Sequence, residues 1–215
     1  ETIMKKALIR KTAVIAAAAL LLVLMPAAVF ADSGGYTTEA FDVNIVTDED
    51  HVFHVTETIK VDFNEQRHGI YRYIPNGGRQ YAVKRASVEG HEYEVYTENN
   101  STVIKIGSAD HTVYGDQEYR ITYDIVGYKD SSENGDALAI DLIPTGWGTA
   151  IESAKATITF PKRIEHIEVY AGQYEEAGDQ GYFLVSDDGM SLTAVSRDTV
   201  PAGAGLTIRA DLPEG

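Results

Sequence analysis

The chain has 215 residues with 33 Asp and Glu against 18 Lys and Arg, so its formal net charge is −15 at pH 7, and it contains no cysteine. This acidity argues against nucleic acid as a partner, because phosphate contacts need clustered Lys and Arg. The absence of cysteine excludes disulfides, thiolate metal sites and cysteine nucleophiles.

The N-terminal segment, residues 4–31, has the pattern of a helical signal peptide. Basic side chains come first, an apolar run over residues 13–24 follows, and the small-x-small sequence Val29-Phe30-Ala31 ends the segment. We therefore predict cleavage after Ala31 and a secreted or extracytoplasmic location. An uncleaved membrane anchor is the alternative, because the apolar run is close to the shortest length that spans a bilayer.

From residue 36 onward apolar residues alternate with polar ones, which is typical of half-buried β-strands. The clearest strand is 53–63. Further strands are predicted at 41–47, 81–88, 92–97, 102–106, 118–126, 137–142, 154–160, 164–170, 182–186, 191–196 and 205–212. The pattern predicts one all-β domain over 36–213, an antiparallel, immunoglobulin-like β-sandwich. Two small β lobes divided at 128–135 are the alternative.

An acidic residue, Glu57, occupies the apolar face of the strand at 53–63. A buried carboxylate is costly without a cation, and Arg72 follows shortly afterwards in the phase of Ile70 and Ile74. We predict a mostly buried ion pair between two neighbouring antiparallel strands. A site for a ligand carboxylate or a peptide terminus, built on Arg72, is the alternative.

The stretch from His68 to Pro75 reads His-Gly-Ile-Tyr-Arg-Tyr-Ile-Pro. Together with residues 55–59 and 119–123, it resembles the extracytoplasmic N-terminal domain of a family of predicted bacterial membrane proteins, domain of unknown function 2207. The resemblance implies an exported β domain that is followed by transmembrane helices in the relatives, and it lends no catalytic residue. Within this chain we expect no membrane anchor as far as Gly215.

Four side chains of this stretch are candidates for ligand binding, namely His68, Tyr71, Arg72 and Tyr73. An imidazole suits acid–base chemistry or ligation, but no partner stands at a motif spacing from His68, so we favour a turn histidine. Tyrosine rings have an apolar face and a polar tip that suit glycans and peptides, although tyrosine is also an ordinary strand residue.

The segment 130–136 places oxygen-bearing side chains at alternate positions, with Asp130, Asn134 and Asp136 as weak candidate metal ligands. Calcium loops use similar spacing, but they end in Glu and lie between helices, and this segment has neither feature. We therefore predict a solvated acidic loop, no metal and no cofactor.

These observations favour a non-enzymatic module for binding or assembly at the bacterial cell envelope, because no catalytic constellation stands out in the sequence. The expected partner is an envelope protein, a peptide or a glycan. The alternative is an envelope glycan hydrolase with paired carboxylates about 5–9 Å apart, which so acidic a chain can supply.

Overall fold

The computed structural model describes residues 35–76, 81–127, 136–172 and 181–212, and within these ranges it contains strands and no helix. The predicted signal peptide at 4–31 and the residues Asp130 and Asn134 lie outside the described residues. In chain order the strands are β1 (Tyr36–Thr47), β2 (Phe53–Arg67), β3 (Ile70–Pro75), β4 (Ala82–Val88), β5 (Tyr93–Glu98), β6 (Ser101–Ile106), β7 (Val113–Val126), β8 (Asp136–Ile143), β9 (Ile151–Thr159), β10 (His166–Gly172), β11 (Gly181–Val185), β12 (Ser191–Ser196) and β13 (Gly205–Leu212).

The strands form one seven-stranded sheet, in the order β11-β12-β9-β1-β2-β7-β4, and two three-stranded sheets, β3-β6-β5 and β10-β13-β8. The all-β prediction is therefore confirmed, whereas the immunoglobulin-like connectivity stays a prediction. The predicted antiparallel pairing holds for the described strands except at one pair, because β1 and β9 run parallel. Local alternation of side chains is the same for both directions, so the sequence pattern carries no information on this pairing.

One continuous hydrophobic core joins the three sheets. The large sheet buries a single face, as β1 illustrates: Phe41, Val43 and Ile45 are buried, and the residues between them are exposed. Both small sheets contribute buried side chains to the same core, so they cover this face side by side.

The chain passes from the large sheet to the β3-β6-β5 sheet through a connection of two residues, His68 and Gly69. Such a short connection is typical of a hairpin, but β2 already pairs with β1 on one side and β7 on the other. Since both edges of β2 are occupied, β3 cannot add to it and begins a new sheet. The expectation that Glu57 and Arg72 lie on neighbouring strands is therefore wrong, because their strands face each other across the core.

The β3-β6-β5 sheet extends from β2 towards the edge of the large sheet. Arg72 of β3 contacts Glu57 of β2, and β6 contacts β4, the outermost strand on that side. The next strand, β5, therefore lies beyond β4. This position explains why all six residues of β5 are exposed.

Candidate functional site

A buried ion pair joins the large sheet to the β3-β6-β5 sheet. Arg72 donates from Nε to Glu57 Oε2 and from Nη2 to Glu57 Oε1, each at 2.8 Å. Its third nitrogen, Nη1, donates to the backbone carbonyl of Tyr73. Tyr123 of β7 also donates its hydroxyl proton to Glu57 Oε1, at 2.7 Å. The charges of the pair are thus satisfied by side chains from three strands.

The surroundings of this pair are apolar, because Glu57 is 0% and Arg72 4% exposed, and the guanidinium carbon lies 5.7 Å from the centre of the Phe41 ring. Burial, and then the Glu57 carboxylate, raise the pKa of Tyr123 well above its usual value, so the phenol keeps the proton it donates. Burial alone would lower the pKa of Arg72, but the Glu57 carboxylate outweighs it and raises that pKa. The cluster is a closed structural unit in which Arg72 has no exposed donor face.

The four candidate ligand-binding residues do not converge on one site. Successive side chains of a strand point to opposite faces, so Arg72 points into the core while Tyr71 and Tyr73 point outward. His68 is exposed in the turn before β3, and its Nδ1–H donates to the carbonyls of Ser108 (2.9 Å) and His111 (3.0 Å). The histidine therefore holds the segment that follows β6.

The backbone conformation at residue 69 explains why the His-Gly-Ile-Tyr-Arg stretch has a glycine at this position. Its φ is 121°, and a Cβ placed on it would overlap the carbonyl oxygen of Ile106. Gly107, opposite, has a φ of 119°, and a Cβ there would overlap the carbonyl oxygen of His68. Two backbones thus approach closely where β3 begins and β6 ends, and only glycine fits at either position.

The outward face of the β3-β6-β5 sheet presents an aromatic platform, which we call the tyrosine surface. Its members are Tyr71 and Tyr73 of β3, Val103 and Lys105 of β6, and Glu94 and Tyr96 of β5. Register sets Tyr73, Val103 and Tyr96 in one row across the strands, and Tyr71, Lys105 and Glu94 in the next.

The side chains of the tyrosine surface support one another. The rings of Tyr71 and Tyr73 stack with their centres 6.3 Å apart, and Lys105 and Glu94 form an ion pair at 3.5 Å. Val103 is 0% exposed although it lies on the outward face, because the rings on either side cover it. Burial, together with neighbouring charges, raises the pKa of Tyr73 and of Tyr96, so both phenols stay neutral donors at physiological pH.

A second polar group lies on the outward face of the large sheet. His54 and Asp124 are direct partners across β2 and β7, and His54 Nδ1 lies 2.7 Å from Asp124 Oδ1. Asp48 Oδ2 lies 3.1 Å from His54 Nε2, and Arg85 pairs with the other oxygen of Asp124. The hydrogen bond to Asp124 is the main cause that raises the pKa of His54.

We call Asp48, His54, Arg85 and Asp124 the histidine group. Three of its members, His54, Arg85 and Asp124, line a shallow, open depression of about 400 Å³. Sequence reasoning missed it, because His54, Arg85 and Asp124 are far apart in the chain and meet only through the pairing of β2 with β7 and of β7 with β4. The only sequence signal for this group was a histidine and an acid on the polar faces of two strands. This combination is too common in β proteins to indicate a site. Among the lining residues Asp124 is the one carboxylate, and His54 and Arg85 already engage it.

The described residues contain no cluster of three or more His, Asp or Glu side chains that could hold a metal ion. Of the weak metal candidates, Asp136 begins β8, and Asp130 and Asn134 lie outside the described residues. In the described ranges no helix is long and apolar enough to cross a lipid bilayer.

A family model described as the N-terminal domain of predicted membrane proteins, DUF2207, matches residues 37–212. The chain belongs to this family. The match covers nearly all of the β domain and includes both Glu57 and Arg72. A comparison with curated protein sequences gives no match.

Solved structures with a similar course of the chain are peptidase and hydrolase structures. Leukotriene A4 hydrolase from Saccharomyces cerevisiae is 9% identical with a TM-score of 0.47, covering 83% of this chain and 30% of that chain. An M1 zinc metallopeptidase from Deinococcus radiodurans is 13% identical with a TM-score of 0.46, covering 81% of this chain and 42% of that one. The chain thus spans less than half the length of either protein, and likeness this weak carries no argument about activity.

Proposed function

We propose that the chain is a non-enzymatic extracytoplasmic module that binds a partner at the bacterial cell envelope through the tyrosine surface. Membership in a family of predicted membrane proteins supports a place at a membrane. The signal-peptide pattern of residues 4–31 supports export.

The exposure of the tyrosine surface is the observation that carries the proposal. Tyr71 and Tyr96 are 49% and 40% exposed, whereas Val103, on the strand between β3 and β5, is fully covered. Rings that are already packed over a buried residue lose little conformational freedom on binding, so their contacts with a partner cost little entropy. The sheet beneath is held from its inner side by the pair of Arg72 and Glu57.

The alternative of a glycan hydrolase receives no comparable support. Such an enzyme places two carboxylates about 5–9.5 Å apart around the sugar in a cleft. The depression at His54 is shallow, and its carboxylate, Asp124, is bound by His54 and Arg85. A group already neutralised by two neighbours is poorly placed to act as a nucleophile or general acid.

Site-specific photocrosslinking in the cells that make the protein tests this proposal. A photoreactive phenylalanine analogue is placed at Tyr71 or at Tyr96, and in a matched control at Asn44, an exposed position on the outward face of β1. Irradiation is expected to give adducts from the first two positions and little from Asn44. Equal adducts from all three positions, or none from the tyrosine positions, would contradict the proposal.

A further inference from the structure

We infer that the free edge of β5 takes up an extended segment of another protein, in which basic and apolar residues alternate, as a fourth strand of the β3-β6-β5 sheet. The inference rests on the proposed binding function and specifies its partner as a peptide segment. Addition of a strand to an exposed sheet edge is a common mode of peptide recognition, in which backbone hydrogen bonds supply affinity.

The backbone of β5 offers unused hydrogen-bonding groups. Among the described residues β5 pairs with β6 alone, and the carbonyl of Glu92 accepts from the amide of Gly107 at 2.8 Å, so it points towards β6. Consecutive residues of an antiparallel strand direct their backbone groups to opposite sides. The N–H and C=O groups of Tyr93, Val95 and Thr97 therefore point to the free edge.

The edge of β5 carries two glutamates but lacks the other usual protections against strand addition. Edge strands of soluble proteins commonly carry proline, inward-pointing charge, lysine or a bulge. β5 reads Tyr-Glu-Val-Tyr-Thr-Glu and pairs with β6 in unbroken register. The edge strand β4 differs, because its pairing shifts between Lys84 and Ser87 and Arg85 has a φ of 51°.

The side chains of β5 define the chemistry of the partner. On the face turned towards the large sheet, Tyr93 and Val95 are 40% and 44% exposed, because β5 lies beyond β4. On the outward face Glu94 and Glu98 are exposed on either side of Tyr96. Directly opposed cross-strand pairs are stabilising when charges are opposite or when both side chains are apolar. An added strand with apolar residues on one face and basic residues on the other therefore matches this edge.

Charge also argues against a second copy of this chain as the occupant. Antiparallel pairing of two copies centred on Tyr96 would set Glu94 of one copy opposite Glu98 of the other, whereas pairing centred on Val95 would set Glu94 opposite Tyr96. Like charges in directly opposed positions destabilise a strand pair, and the chain carries a formal net charge of −15. A basic segment of a different protein avoids both penalties.

Backbone amide exchange followed by NMR tests the inference with a defined probe. The probe is an end-blocked hexapeptide of alternating lysine and valine, and the control is the same peptide with glutamate in place of lysine. The lysine peptide is expected to slow exchange at the amides of Tyr93, Val95 and Thr97 by at least about tenfold at saturation, an effect that added salt weakens. The amides of Glu94 and Tyr96, which point towards β6, serve as internal references.

Two variants separate backbone pairing from side-chain contact. Val95→Pro removes one edge N–H without removing a bond to β6, and it is expected to weaken peptide binding at least about tenfold. Val95→Thr keeps the N–H and the branched side chain, and it is expected to bind nearly as the parent does. Thermal unfolding verifies that both variants are folded.

Three results would overturn the inference. They are unchanged exchange at the three edge amides, equal protection by the glutamate peptide, and protection that grows with protein concentration without peptide, which indicates self-pairing. Crosslinks from Tyr71 do not require the edge of β5, so they distinguish failure of this inference from failure of the proposed function.

Discussion

Arg72 and Glu57 are joined by two hydrogen bonds of 2.8 Å, one to each carboxylate oxygen, although their strands belong to different sheets. The pair therefore links the two layers of the domain at a point where both side chains are buried. A bidentate pair with a further donor from Tyr123 fixes the position of β3 over β2. The tyrosine surface lies on the opposite face of the same strand, β3.

Replacing Arg72 by alanine is expected to destabilise the protein strongly. The change leaves the buried carboxylate of Glu57 without its cation, so we expect a loss of roughly 3–5 kcal/mol. In a domain of this size the melting temperature then falls by about 6–20 °C. Urea and thermal unfolding provide the measurement, and Arg120→Ala, which removes an exposed pair with Glu89, is the control with little effect. Equal effects of the two substitutions would refute a structural role for the Arg72 pair.

Tyr123→Phe tests the third member of the cluster. The substitution removes only the hydroxyl that donates to Glu57, so its expected cost is about 1.5–3 kcal/mol, the range for hydrogen bonds to charged groups. The matched control is Tyr114→Phe, since Tyr114 is 66% exposed. Chemical denaturation measures both, and a Tyr123→Phe protein as stable as the control would contradict the hydrogen bond.

Gly69→Ala tests the close approach of β3 and β6. Alanine at φ 121° is strained, and its Cβ overlaps the carbonyl oxygen of Ile106, so we expect a loss of at least about 2 kcal/mol. Gly146→Ala is the control, because a Cβ there meets open space. If both substitutions leave the unfolding midpoint in place, the turn geometry described for Gly69 is incorrect.

His54 is expected to make stability depend on pH. Its pKa is raised in the folded protein, chiefly by the hydrogen bond to Asp124, so its contribution is complete below the unfolded value of about 6.5 and is lost as pH rises through the folded pKa. The groups that face it are Asp48 and Asp124, with Arg85 on the far oxygen of Asp124.

The corresponding measurement compares the parent with His54→Gln by thermal unfolding at about pH 5.5 and about pH 9. The parent should exceed the variant by a larger margin at the lower pH. The same margin at both values would show that the imidazole gains nothing from its two carboxylate neighbours.

Side-chain alternation was sufficient to predict most strands, because burial of one sheet face imposes a period of two on the sequence. The same reasoning placed Glu57 and Arg72 in the core, since a lone acid in an apolar phase requires a cation. It could not assign them to separate sheets, because that depends on β1 and β7 occupying both edges of β2.

Features that depend on register between distant strands were not predicted. The contact of Tyr123 with Glu57, the row of Tyr73, Val103 and Tyr96, and the histidine group all arise where strands separated in sequence are aligned by pairing. A single sequence reveals which face a side chain occupies, and it does not reveal which neighbour stands opposite.

Binding of the purified protein to isolated cell envelopes of its own organism tests the central claim most directly. The parent is compared with the double variant Tyr71→Ser/Tyr96→Ser and with Tyr114→Ser, which removes a more exposed tyrosine from β7. The account predicts saturable binding by the parent and by Tyr114→Ser, and a loss of at least about tenfold in affinity for the double variant. Binding that is unchanged in the folded double variant would contradict the assignment of the tyrosine surface as the contact site.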